Sequence, residues 1–229
     1  MSARILEEDV LSLSSSPLIQ TARESAQLPA LELAERAAGL LLLVVAGPVL
    51  VVSALVLAIF SRRFPLVAHL RVAKDGAPFW MLKLRTMWSP DDDSPIAEKW
   101  IDRIIAEPDT DAKDPSDSRV TNRFAAFCRR HSIDELPQLL HVIRGEMSWV
   151  GPRPLTAAEL RRYYGSAARE VLEARPGIAG LWQTSGRNRL SYVERRELDL
   201  RFVRNRSLRL YWKILLRTIP EVWSGENTW

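Results

Sequence analysis

Residues 37–60 read AAGLLLLVVAGPVLVVSALVLAIF and carry no charged side chain. As one straight helix they reach about 36 Å, against a bilayer hydrocarbon core of about 30 Å. A surface helix of a soluble protein keeps a polar face, and this segment has none. The reading is therefore membrane insertion, and the rest of the chain folds beside a lipid surface. Gly47-Pro48 lies at the middle. Proline has no N–H for the carbonyl of Val44 and its ring crowds that carbonyl, so a kink is expected at Pro48. Two topologies compete: a bent spanning helix, or a hairpin that enters and leaves by one face. Arg62 and Arg63 put the C-terminal end on the cytoplasmic side by the positive-inside tendency. Glu32, Glu35 and Arg36 on the other flank give no clear vote.

Residues 1–30 are polar and Ser-rich and read as a flexible tail. They lack the charged stretch leading into an apolar run that marks a secretory signal. The chain carries 32 basic and 28 acidic residues. Arg4, Arg23 and Arg36 are outnumbered by acids within residues 1–36, so the basic excess lies in the body. A basic body attracts anionic lipid, nucleotide phosphate or nucleic acid. The apolar segment and the absence of aromatic residues interleaved with basic ones argue against nucleic acid. One cysteine, Cys128, excludes an internal disulfide and fits a reducing compartment. Eight tryptophans suit surfaces that are apolar at one end and wet at the other.

Beyond the apolar segment, Asp75-Gly76 between β-prone runs predicts a hairpin within 64–87. Residues 88–118 are acidic and Pro-rich, with a short helix expected near 96–106. Asp91, Asp92 and Asp93 lack calcium-loop spacing and read as a solvated loop. Residues 119–131 suit a basic amphipathic helix. Further helices are expected at 156–173, 190–204 and 208–223, separated by a Gly- and Pro-rich loop at 175–188. In the last helix Arg209, Lys213 and Arg217 fall four apart on one face, a pattern able to lie on a membrane surface.

The stretch 132–154, SIDELPQLLHVIRGEMSWVGPRP, sets Asp134 and Glu135 side by side among arginines. Ser132 and Glu135 fit the capping-box spacing, and Asp134 could itself cap a helix, so these acids can be read as helix-start residues only. The surroundings point further. Arg129, Arg130 and Arg144 are close in sequence, and Arg153 is held between Pro152 and Pro154. Arginine forks match phosphate oxygens. A carboxylate in that setting can bind Mg²⁺ or attack phosphorus.

RVTNRFAAFCRRHSIDELPQLLHVIRGEMSWVGPRP, RPGIAGLWQTSGRN, KLRTM and the closing LDLRFVRNRSLRLYWKILLRTIP resemble the signature blocks of the bacterial sugar transferases, the monotopic polyprenyl-phosphate phosphoglycosyl transferases. The likeness runs from about 37 to 229. It implies transfer of a sugar 1-phosphate from a UDP-sugar to undecaprenyl phosphate, with Mg²⁺ required and UMP released. By the match Asp134 is the nucleophile that forms a phosphosugar-aspartyl intermediate, and Glu135 supports it and shares the metal. Arg129 and Arg153 match arginines that hold phosphate. The family's membrane element is a re-entrant helix broken at proline, which favours the hairpin and puts both ends in the cytoplasm. The implied fold is α+β and mainly helical. It has a tail at 1–30, a re-entrant helix at 31–63 kinked at Pro48, and a catalytic domain at 64–229 with a small β-hairpin and amphipathic interfacial helices. The location implied is the cytoplasmic face of the bacterial inner membrane, at the first membrane step of polysaccharide or glycoconjugate assembly. The pattern departs at Ala68, His69, Ala73, Asn122, Ala125 and His141.

Other candidates rest on less. Lys83 and Arg85 share one face of a predicted strand. Gln183, Arg187 and Asn188 sit in a donor-rich loop that could read uridine or sugar, and Arg175 could meet phosphate or cap a helix. Trp182 reads as packing, and His69, His131 and His141 show no ligand spacing. The C-terminal helix could lie on lipid or on a second copy, so a homodimer is conceivable. The alternative function is a membrane-anchored scaffold or regulator without catalysis, against which the intact Asp134-Glu135 pair speaks.

Overall fold

The computed structural model describes residues 29–87, 120, 122–186 and 190–224. The expected helix near 96–106 and the loop at Asp91–Asp93 lie outside the described residues, as do Arg187, Asn188 and nearly all of the expected tail.

Helix α1 spans Pro29–Ser61 and includes Pro48 without a break in assignment. At 33 residues it is about 50 Å long. It is the one helix among the described residues long and apolar enough to cross a membrane. Its packing is one-sided. Glu35, Gly39, Ser53 and Leu57 are buried, and Leu43, Ala46, Leu50 and Ala54 are half-buried between them, at the three-to-four spacing of one helical stripe. Leu41, Val44, Val45, Val52, Leu55 and Ile59 on the remaining surface are exposed. The stripe packs along the rest of the chain, so α1 lies against the domain lengthwise.

Strands β1 (Leu66–Val72) and β2 (Pro78–Leu84) form the expected antiparallel hairpin, with Leu66 opposite Leu84 and Val72 opposite Pro78. Asp75 at φ 58° and Gly76 at φ 82° make the turn. Glycine adopts that region without penalty, and Asp is among the residues that tolerate it. One hairpin face carries Val67, His69 and Arg71 opposite Lys83, Met81 and Phe79. Phe79 and Met81 on it join Val142 and Met147 in a buried cluster.

The basic helix appears as α2 (Arg123–Arg130), capped by Asn122, whose Oδ1 accepts from the Ala125 N–H at 2.7 Å. A 3₁₀ segment, Ile133–Gln138, carries the two acids and leads into α3 (Leu139–Arg144). The expected capping box at Ser132 is not formed. Ser132 is left-handed at φ 55° and its side chain makes no cap bond, because the chain reverses sharply between α2 and the 3₁₀ turn. Capping boxes occur instead at Thr156–Glu159 and Ser191–Glu194.

Strand β3 (Ser148–Val150) pairs in parallel with β4 (Gly177–Ala179). Both were unforeseen; the second lies in the region read as loop. The helix expected at 156–173 is broken up, with a short α4 (Ala157–Glu159), a π-helical stretch at Leu160–Tyr164, a 3₁₀ turn at Gly165–Ala167 and α5 (Ala168–Val171). Helices α6 (Tyr192–Arg204) and α7 (Leu208–Ser224) close the fold as expected. The main core joins Leu160, Val171, Leu200, Phe202 and Val203 to Tyr211 and Ile214 of α7. The opposite side of α7 exposes Leu208, Trp212, Leu216 and Ile219, flanked by the exposed Arg209, Lys213 and Arg217.

Candidate active site

The 3₁₀ segment holds Asp134 buried and Glu135 half-buried. Lys83, reaching from β2, sets its Nζ 2.7 Å from Glu135 Oε1. Behind them His141 locks strand to helix. Its Nε2 accepts the Leu82 N–H at 3.0 Å, and its Nδ1 lies 2.6 Å from Glu146 Oε2. Since Nε2 accepts, the ring proton sits on Nδ1 and faces Glu146.

Asp134 is linked to α1 through Cys128 of α2. Burial, and after it the negative charge of Asp134, pushes the Cys128 thiol up to about 11 against a hydrogen bond with Ser53 of α1. The thiol is therefore protonated at neutral pH and is packing rather than a nucleophile. Ser53, Cys128 and Asp134 thus link the middle of the apolar helix to the acidic pair.

The hairpin face beside the acids is cationic. His69 is pulled down to about 3, first by burial and then by Arg71, Lys83 and Arg85 around it. Arg71, Lys83 and Arg85 around it make this face positive, as an anion site needs. At the far end of that face Arg71 lies 4.0 Å from Glu159. Burial works to raise the Glu159 carboxyl, but Arg71, Arg153 and the hydrogen bonds from Thr156 outweigh it and hold it low. Arg153 also approaches the Trp182 ring, 5.8 Å from the centroid, and Arg195 approaches the same ring at 5.0 Å. Trp182 is buried, in keeping with a packing role.

Asp199 is buried beneath Arg153 and accepts the Tyr164 hydroxyl at 2.8 Å. Burial raises its carboxyl to about 7, against the hydrogen bonds from Tyr164 and from the Arg153 backbone.

Arg153 and the Trp182-Gln183 turn project from the ends of β3 and β4. Those strands approach closely at two glycines: a Cβ on Gly177 would fall 2.0 Å from the Gly151 nitrogen, and one on Gly151 would fall 2.3 Å from the Arg175 carbonyl.

The expected residues thus divide. Lys83 meets Glu135 directly, with Asp134 beside it in the 3₁₀ segment, and Arg129 stands half-buried in the last turn of α2 just before them. Arg153 stands with Arg71 and Glu159. Arg85 donates from Nε to the Phe64 carbonyl at 3.0 Å, at the open end of the hairpin. Gln183 donates to the Ile178 carbonyl at 3.2 Å. Arg175 is turned the other way: it is buried, 2.9 Å from Glu35 and 3.4 Å from Glu32 on α1. In this structure it serves the junction with the apolar helix. Sequence reading missed Arg71, Glu159, Asp199 and Glu35. The T-x-x-E spacing before an apolar run could have flagged Glu159; the other three give no local signal.

Among the described residues no three His, Cys, Asp or Glu side chains gather into a metal cage. Two adjacent carboxylates are a partial donor set. That fits Mg²⁺, which keeps several waters and completes its shell with substrate phosphates.

The family model for bacterial sugar transferases matches residues 28–225. The chain belongs to the bacterial sugar transferase family. Among its relatives, the UDP-galactose-lipid carrier transferase of Erwinia amylovora is 45% identical over 161 residues, 69% of this chain and 33% of that protein. The exopolysaccharide production protein ExoY of Sinorhizobium fredii is 44% identical over 163 residues, 67% of this chain and 68% of its own length. The UDP-glucose:undecaprenyl-phosphate glucose-1-phosphate transferase of Caulobacter vibrioides is 35% identical over 238 residues, 98% of this chain and 83% of that protein. The family member described here thus spans only a third of the Erwinia relative.

Proposed function

We propose that the protein transfers a sugar 1-phosphate from a UDP-sugar to undecaprenyl phosphate, a first membrane step of bacterial polysaccharide or glycoconjugate assembly. Family membership and the names of the Caulobacter and Erwinia relatives support the reaction class. The observation that carries the reading is the acidic pair itself. Asp134 stands near Cys128, which bonds to the apolar helix, and Glu135 is engaged by Lys83 on a cationic strand face.

An Asp134 carboxylate oxygen attacks the β-phosphorus of the UDP-sugar. The bond from that phosphorus to the bridging oxygen breaks, and UMP leaves with the electron pair. An oxygen of the lipid phosphate then attacks the same phosphorus, the aspartyl bond breaks, and the carboxylate is restored. No net proton transfer is needed, so the chain's contribution is placement and charge. Lys83 holds Glu135, and Glu135 orients its neighbour. Arg153, with Arg71 and Arg129, offsets phosphate charge. Asp134 and Glu135 would hold Mg²⁺, which supplies further charge neutralisation on the diphosphate.

The packing of α1 bears on the membrane arrangement. A helix crossing the bilayer upright would carry one end about 30 Å from a domain on the other face. The stripe from Glu35 to Leu57 stays on one domain throughout, which argues against an upright crossing; Pro48 and the family resemblance favour a re-entrant element with both ends on the cytoplasmic side. The exposed apolar row of α7 with its flanking cations suits the same anionic lipid surface.

The test is UMP release from a panel of UDP-sugars with undecaprenyl phosphate and Mg²⁺. Release with at least one sugar, dependent on the lipid for multiple turnovers, is expected. No release with any sugar would favour the scaffold reading.

A further inference from the structure

The foot of α1 carries a buried carboxylate that the reaction does not use. Glu35 accepts from the Ser148 hydroxyl, from the Trp149 N–H at 3.3 Å, from the Tyr211 hydroxyl at 2.8 Å and from Arg175 Nη2 at 2.9 Å. Its own carbonyl accepts the Trp149 indole N–H at 3.0 Å. These donors come from β3, from the residue two before β4, and from α7. One side chain therefore ties the apolar helix to the base of both parallel strands and to the C-terminal helix. Burial, and then Glu35, raises the Tyr211 hydroxyl well above its ordinary range, so it remains a donor.

Beyond Glu35, the Glu32–Arg175 ion pair and the buried Ser53, the α1 seam is apolar. Leu50, Ala54 and Leu57 meet Leu66, Leu84 and Phe124. In lipid such contacts have little advantage over acyl chains, so they set neither rotation nor height sharply. Directional bonds to a buried charge do, because each donor has one place where it is satisfied. The opposite ends of β3 and β4 lead to Arg153 and to Trp182-Gln183. The helix that sets the bilayer level and the strands that present the phosphate arginine thus share one buried fastening.

We propose that Glu35 is a positioning residue that fixes the orientation of the membrane helix relative to the catalytic domain, and so sets the height at which the lipid phosphate meets Asp134. The proposal rests on the transferase reading above for its lipid-phosphate part. The donor is water-soluble and finds the site from the aqueous side. The acceptor is held at a depth the bilayer dictates. Loosening the fastening therefore falls on the acceptor step.

The experiment compares wild type with Glu35→Gln and Tyr211→Phe, in nanodiscs containing anionic lipid. Spin labels at Phe60→Cys and Arg209→Cys, with Cys128→Ala, report the distance between α1 and α7. A narrow distribution is expected in wild type and a broadened one in both variants. The KM for undecaprenyl phosphate is expected to rise about tenfold, the cost of one hydrogen bond to a charged group. Exchange of labelled UMP into UDP-sugar without lipid acceptor should stay near wild type. Unchanged distances in both variants would overturn the proposal, as would exchange and acceptor turnover falling in parallel with thermal stability. Should Glu35→Gln fail to fold, Tyr211→Phe, which keeps the ring, decides alone. If wild type shows neither exchange nor turnover, the transferase reading fails, while the distances still decide whether Glu35 orients the helix.

Discussion

Lys83 Nζ lies 2.7 Å from Glu135 Oε1, so the second strand of the hairpin grips the acidic pair directly. Both side chains are about a quarter to a third exposed, at 26% and 30%. An ion pair so placed contributes under about 1 kcal/mol to folding. Under the proposed reaction its value would lie in orienting the pair and in adding positive charge near the donor's phosphates. Lys83→Met is therefore expected to shift the thermal midpoint only slightly while lowering UMP release by about 100-fold, in the range for losing one preorganised electrostatic group. Parallel thermal melts and initial rates check this.

The close approach of β3 and β4 at Gly151 and Gly177 leaves no room for a methyl group, with backbone atoms 2.0–2.3 Å from the added carbons. Gly177→Ala must part β3 from β4. A loss of about 2–4 kcal/mol is expected, typical of severe overpacking. Arg153 follows β3 by only three residues and should move with it. Denaturant unfolding and the KM for UDP-sugar measure both effects, and the KM should rise.

Asp199 predicts a pH dependence of stability. Its carboxyl stands near 7 in the fold against an ordinary 3.8. Below 3.8 folded and unfolded chains both hold the proton. Between 3.8 and about 7 only the folded chain does, so raising pH across that window removes stability, by at most about 1.4 kcal/mol per pH unit. Above the window both forms are ionised and this contribution is flat. Asp199→Asn should abolish this fall. Melting temperature followed from pH 4 to pH 8 in the two proteins, buffer by buffer, gives the difference.

The one-sided seam of α1 predicts its topology. Leu33 and Phe60, near its two ends, are 70% and 58% exposed. Cysteines at either position, with Cys128 removed, should react with a membrane-impermeant maleimide only when the cytoplasmic face is accessible. Labelling of position 33 from outside would indicate a spanning helix.

Much of this was legible in the chain because the signals were local. The apolar run, the Asp75-Gly76 turn and the periodicity of α6 and α7 each announce an element within their own residues. So does the pairing of Asp134 with Glu135. What stayed hidden depends on contacts distant in sequence. Strands β3 and β4 are three residues each, too short for an alternating pattern, and exist because they pair with each other across the core. Arg175 read as a phosphate contact or a helix cap because its partner Glu35 lies 140 residues away. Asp199 looks like any acid on a charged helix until Tyr164 and the Arg153 backbone close over it. Ser132 fitted a cap by spacing, but capping spacing says nothing of the left-handed turn that precludes it.

The proposed reaction turns on a transient bond between the Asp134 carboxylate and phosphorus. The direct measurement is intact-protein and peptide mass spectrometry after rapid quenching with UDP-sugar in the absence of lipid acceptor. A sugar-phosphate adduct is expected on the peptide bearing Asp134, lost on adding undecaprenyl phosphate and never formed in Asp134→Asn, which should remain folded and inactive. An enzyme that turns over with no adduct at position 134, or an Asp134→Asn variant that turns over at the wild-type rate, would contradict the proposed reaction.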